Sequence, residues 1–309
     1  MAGVTTREQA NAYLTNDYLV WWERELTVDP ANPDNYAAPT YPVHYDPAVR
    51  AADNTPANDP VDDRIATLGR VLFFDARLSI NQAVSCGSCH RQAIGFSDSV
   101  QFSKGFSDLL FTNAHSMRIG NARFYQSGQM FWDKRAASLE AQALQPIQNA
   151  VEMGFDDAHG GLDAALARLN VVSFYKELIP WAFNGETTLN AERLARALAH
   201  FQRALVSINS RFDDAYALAY DPVAPQKGLL KDFTTVSATS AGVNFTADEE
   251  AGKRLFMLPV SQGGGGCAAC HLPPSFALAS NVKNNGLDAG ETRVFKAPSL
   301  KNVAAFGRL

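Results

Sequence analysis

Cys86-Gly-Ser-Cys89-His90 and Cys267-Ala-Ala-Cys270-His271 are two copies of one pattern, C-x-x-C-H, and they hold all four cysteines of the chain. The spacing suits a c-type haem. Two thiols can reach the two vinyl groups of one porphyrin and form thioethers, and the imidazole that follows can ligate iron from the proximal side. A C-x-x-C pair can instead be a redox dithiol or half of a zinc site. Neither of those needs the histidine twice. The reading is therefore two covalently bound haem c groups, with His90 and His271 as metal ligands.

The elements that must position these motifs are helical. Ile65, Leu68, Val71 and Leu72 share a face from Asp62 onward. Gly69-Arg-Val-Leu-Phe-Phe74 leads to the first motif, and Gly252-Lys-Arg-Leu-Phe-Met257 leads to the second. This weak repeat argues for two related haem modules. Thr246 and Glu249 form a capping box that starts the second module's helix. Between the modules, Ala136 to Gln145 reads as a helix ended by Pro146, and Leu162 to Leu169 as a short one. Asn190 to about Ala219 reads as one long amphipathic helix carrying Leu194, Leu198, Phe201, Leu205 and Ile208. His200, within it, reads as structural. Gly263 to Gly266 lacks the Lys and Ser or Thr of a phosphate loop, so it reads as a flexible lead into the second motif.

Residues 1–62 differ in character. Arg7 to Leu26, with Tyr18, Trp21 and Trp22, suits a helix. Seven of the 15 prolines then fall between Pro30 and Pro60, which excludes regular helix or central strand and predicts an extended arm over the body. His44 in that arm reads as a loop histidine. Residues 221–245, rich in Thr, Ser, Pro and Gly, read as a linker. The expected organisation is mainly α: an arm at 1–62, cytochrome c-like domains at 63–220 and 246–309, each with one haem, and the linker between.

A net charge of −5 argues against nucleic acid and against a polybasic membrane surface. No run of 18 apolar residues predicts a membrane span. Met1-Ala-Gly-Val-Thr-Thr-Arg has no apolar stretch and does not read as an export signal. Haem attachment outside the bacterial inner membrane nonetheless predicts a periplasmic protein.

The stretches LGRVLFFDARLSINQAVSCGSCHRQAIGFSD, FWDKRAASLEAQALQPIQNAVEMGF, GCAACHLPPSF and RVFKAPSLKNVA occur in that order. In this the chain resembles the bacterial dihaem cytochrome c peroxidases over roughly residues 64–305. Their superfamily also includes the dihaem enzyme that matures the tryptophan-derived cofactor of methylamine dehydrogenase. The resemblance implies a peroxide-reactive haem at Cys86, Cys89 and His90, and an electron-receiving haem at Cys267, Cys270 and His271. It implies Trp132 as the residue between the haems, and Gln142 and Glu152 as the polar pair over the peroxide site. It also implies hydrogen peroxide as substrate, a small donor protein such as a monohaem cytochrome c or cupredoxin, and a homodimer. On its own chemistry, Glu152 in Val151-Glu-Met-Gly154 is a carboxylate in apolar surroundings, suited to carrying a proton between peroxide oxygens. Gln142 can orient but cannot ionise. Arg135 reads equally as a propionate contact or a structural ion pair.

The chain departs from the family pattern at two places. The peroxidases' distal histidine falls on Phe106, which cannot ligate iron, so the first haem is expected to have an open distal face. His115 is the rival ligand. It also stands near the asparagine that binds calcium in the family, which puts a calcium site in question. The second departure is the stop at Phe306-Gly-Arg-Leu309, ahead of the motif that carries the second haem's Met or Tyr ligand. Met257 precedes its motif and reads as core. The expected activity is peroxide reduction to water. The alternatives are a dihaem oxidase acting on a protein or organic substrate, and a non-catalytic electron carrier.

Overall fold

The computed structural model describes residues 28–220, 245–277 and 295–306, with isolated positions between the last two ranges. The expected helix at Arg7 to Leu26 and nearly all of the linker lie outside the described residues. The chain is mainly helical, as expected. Among the described residues there is no sheet, only isolated bridges such as Arg91 with Ser97 and Leu272 with Ala277.

Among the described residues the α-helices are α1 (Pro47–Arg50), α2 (Asp63–Phe74), α3 (Cys86–Cys89), α4 (Leu139–Ala143), α5 (Gly161–Asn170), α6 (Tyr175–Ala182), α7 (Ala191–Ala204), α8 (Arg211–Ala219) and α9 (Ala247–Met257). The core is built on α2 against α7. The Asp62 carboxylate caps α2 by accepting from the Arg64 and Ile65 amides, and Asn190 caps α7 by accepting from Arg193. Leu68 and Leu72 of α2 and Leu194, Ala197, Leu198 and Phe201 of α7 are buried in one cluster. Gly69 permits the close crossing: a Cβ there would stand 1.8 Å from the Ala197 carbonyl oxygen. His200 is structural, its Nδ1 accepting the Asp62 amide at 3.1 Å.

Several expectations need correcting. The long helix from Asn190 to Ala219 is two helices, because Ser210 and Asp213 form a capping box that starts α8 afresh. Ser207, in the break, gives its amide to the Asn121 side chain instead of to a helix carbonyl. The helix expected from Ala136 shrinks to α4, because Ala136 pairs with Met130 in a bridge and Ser138 supplies the cap. The four-glycine run is a bonded turn. Gly264 donates to Pro259, Gly265 to Leu255 and Gly266 to Leu258, and a Cβ on Gly264 would lie 2.0 Å from the Leu258 oxygen. Met257 is half-buried, not core.

The proline-rich arm is largely irregular, but it is not free of helix as expected: α1 forms in it because Pro47 sits at the first helical position, where no amide bond is lost. The arm is also built into the body. Val28, His44 and Tyr45 are buried. Asp63 accepts the amides of Tyr36 and Ala37, and Trp181 donates to the Pro30 carbonyl. His44 is therefore more than a loop histidine: its Nε2 donates to Asp213 of α8 at 3.2 Å.

Candidate active site

The two motifs fold alike. In each, the histidine amide donates to the carbonyl of the first cysteine, His90 to Cys86 at 2.9 Å and His271 to Cys267 at 3.0 Å. Each histidine then meets a backbone carbonyl: His90 Nδ1 lies 3.2 Å from Phe96 O, and His271 Nδ1 lies 3.0 Å from Pro298 O. A carbonyl only accepts, so Nδ1 carries the proton and Nε2 keeps its lone pair in both rings. Burial lowers both imidazole pKa values, which favours the neutral form that binds a metal. Phe96 and Phe276 follow their motifs in the left-handed region, φ 58° and 53°. The repeat seen in sequence is thus a repeat of backbone conformation.

Cys86, Cys89 and His90 line a cavity together with Phe73, Met153 and Leu198, and with Gln142 and Glu152. Glu152 is set in place by Asn149, whose side-chain oxygen accepts the amides of Val151 at 2.8 Å and Glu152 at 3.1 Å. Burial raises the Glu152 carboxyl above its ordinary range, and the positive charge of Arg135 opposes that in part. Glu152 also faces a second pocket shared with Phe131, Arg135 and Asn149, so it stands between the interior and an outer mouth. Gln142 rides on α4, which is tied to α7 by the ion pair of Glu140 with the buried Arg203.

Phe106 donates its amide to the Glu152 carbonyl at 2.8 Å. Its ring packs where a Cβ on Gly154 would come within 2.7 Å of it, and it does not line the cavity. His115 has both ring nitrogens in hydrogen-bond reach of other groups, Nδ1 at 2.9 Å from Val100 O and Nε2 at 3.1 Å from Ser97 Oγ. Trp132 belongs to a turn with left-handed residues at Phe131 (φ 69°) and Lys134 (φ 61°). Its indole donates to His115 O at 2.9 Å, and its own carbonyl accepts the Lys296 amide at 2.8 Å. Trp132 is therefore fastened to the loop after the first motif and to the segment after the second. Arg135 pairs with Asp133 at 3.0 Å and stacks over Phe131.

The first motif's residues fit a haem better than the rival chemistries. Burial pushes the Cys86 thiol up to about 12 and the Cys89 thiol up to about 11. A redox dithiol needs those thiols lowered. Among the described residues, no group of three His, Cys, Asp or Glu side chains is placed to hold a metal ion. The walls are largely apolar, and the histidine offers Nε2.

A family profile described as di-haem cytochrome c peroxidase matches residues 63–220. The chain belongs to that family. Membership of the di-haem cytochrome c peroxidases implies haem c as cofactor. Among similar proteins, the methylamine utilization protein MauG of Methylorubrum extorquens is 32% identical over 267 residues, covering 82% of this chain and 65% of its own. The cytochrome c551 peroxidase of Nitrosomonas europaea is 29% identical, covering 79% and 67%. A solved MauG-like protein associated with microbial copper homeostasis superposes with a TM-score of 0.62 at 26% identity, covering 82% and 73%. The chain thus spans about two thirds of the length of these curated relatives.

Some lining residues were not singled out in the sequence. Gln202 of α7 is buried at the same cavity as Gln142, and Thr112 and Ser116 join it. The long-helix reading placed Gln202 beside the apolar stripe, and a polar residue there was the available signal. The carbonyls of Phe96 and Pro298 carry no side-chain signature and could not be read from sequence.

Proposed function

We infer that the chain reduces hydrogen peroxide to water, taking two electrons from a small redox protein, a monohaem cytochrome c or a cupredoxin, in the periplasm. The observation that carries this reading is that Glu152 and Gln142 share one cavity with Cys86, Cys89 and His90. Cys86 and Cys89 would anchor one haem through thioethers with His90 Nε2 toward its iron, and Cys267, Cys270 and His271 would hold the other. When bound, the haems supply a site for peroxide and a route for electrons.

The protein's own part is proton handling and placement. Hydrogen peroxide, two protons and two electrons give two waters. Glu152 takes the proton from the near peroxide oxygen and gives it to the far one, so that the leaving group departs as water. Gln142 orients the peroxide through its amide. Trp132, hydrogen-bonded toward both modules, lies on the path between them. A second reading, oxidation of a protein or organic substrate, is favoured by Phe106, which leaves no imidazole at that position. Calcium and a homodimer are not needed for either reading.

The test is steady-state turnover of peroxide by the purified holoprotein with reduced cytochrome c, after its mass has established two haems. Fast turnover supports peroxide reduction. A long-lived oxidised state with little turnover supports the oxidase. A ferric spectrum with no high-spin haem, unchanged by peroxide, would make the chain an electron carrier and end both readings.

A further inference from the structure

Lys296 lies in the segment that follows the second motif, yet it lines a cavity that continues from the first motif and shares His90, Gln142 and Glu152 with it. The residue is 4% exposed. Among the described residues its ammonium has only soft neighbours. Nζ is 3.4 Å from Met117 Sδ and 4.9 Å from the centroid of the Tyr125 ring. Among the described residues no carboxylate offsets its burial, which lowers its pKa to about 8. A lysine this deeply buried is rare without an anionic partner, because the ammonium has given up water. Arg118 and Arg135 line the same cavity, Arg135 being paired with Asp133, and Glu152 is the one lining carboxylate.

We propose that Lys296 is the counter-ion of a propionate of the haem held at the first motif, so that the second module supplies a charge to the first module's cofactor. The proposal rests on the haem reading of the first motif. A propionate is an ionised carboxylate carried by that cofactor, and it is the anion the cavity's charge calls for. The backbone bond from Lys296 to Trp132 O, at 2.8 Å, fixes where the side chain starts. An ammonium paired with the propionate also offsets negative charge next to the ring and so favours the ferrous state.

The experiment is a spectroelectrochemical titration of the high-spin haem in the holoprotein, with the Lys296→Met, Lys296→Gln and Lys296→Arg variants. Haem count by mass is recorded first; a count below two defeats the haem reading itself. With two haems present, the neutral variants are expected to shift the ferric-to-ferrous ratio toward ferric at least tenfold at fixed potential, about 59 mV for one electron. Lys296→Arg is expected to stay within threefold of the unaltered protein. Neutral variants that keep both haems and the original potential overturn the proposal. Should the neutral variants fail to fold, the unaltered protein and Lys296→Arg are compared by infrared spectroscopy with ¹³C-labelled propionates. A shifted carboxylate stretch supports the pairing and an identical one overturns it.

Discussion

Asn149 does for Glu152 what Phe96 O does for His90: a hydrogen bond within a short stretch of chain fixes a group whose chemistry depends on direction. The Asn149 oxygen holds two successive amides, so the carboxylate starts from a rigid turn. Glu152→Gln keeps the shape and removes the carboxylate proposed to carry the proton. The rate of reaction with peroxide is expected to fall by about 10²–10⁴ with haem content unchanged, measured by stopped-flow spectroscopy. The pH dependence follows from the raised carboxyl. Glu152 must be ionised to accept a proton, and burial places its pKa above the ordinary carboxylate range. The rate is therefore expected to decline as pH falls through that raised value, and Glu152→Gln is expected to abolish this acid limb.

At the scale of elements, α2 and α7 cross at the only residue type that allows it. Alanine at position 69 would gain up to about 1 kcal/mol of helix propensity. It would also place a Cβ 1.8 Å from the Ala197 oxygen, and a backbone atom cannot step aside as a side-chain end can. Overpacking costs roughly 1–3 kcal/mol, so the clash wins. Gly69→Ala is expected to lower the thermal midpoint and to disturb the haem absorption, since Leu198 of α7 lines the cavity. An unchanged melting curve would mean that the helices separate freely.

Across the whole molecule, the arm, α8 and the segment after the second motif meet at Asp213. This carboxylate is 1% exposed and takes bonds from His44, Ser210 and Lys301, the last at 2.5 and 2.6 Å. Burial alone would raise its pKa, but the His44 bond and the Lys301 charge outweigh that and hold it at about 2. Its folded value lies below the unfolded value of about 3.9. Its contribution to stability is therefore complete above that pH and is lost as pH falls from about 4 toward about 2. Asp213→Asn leaves the Lys301 charge buried and unmatched, and is expected to cost about 3–5 kcal/mol in denaturant unfolding at neutral pH. The variant should also lack that part of the acid sensitivity.

Sequence by itself determined the two C-x-x-C-H motifs, the mainly α character, the Thr246–Glu249 cap and the family, because these depend on residue type at short spacing. It overextended the helix at Asn190, since a periodic apolar stripe continued past Ser207 while the Ser210 cap, equally local, was passed over. Only the tertiary structure decided that His44 reaches Asp213 and that Lys296 comes into the first motif's cavity. Those pairings join residues from separate elements or use backbone carbonyls. Burial and direction there are set by how the chain closes on itself, and no single stretch of residues encodes them.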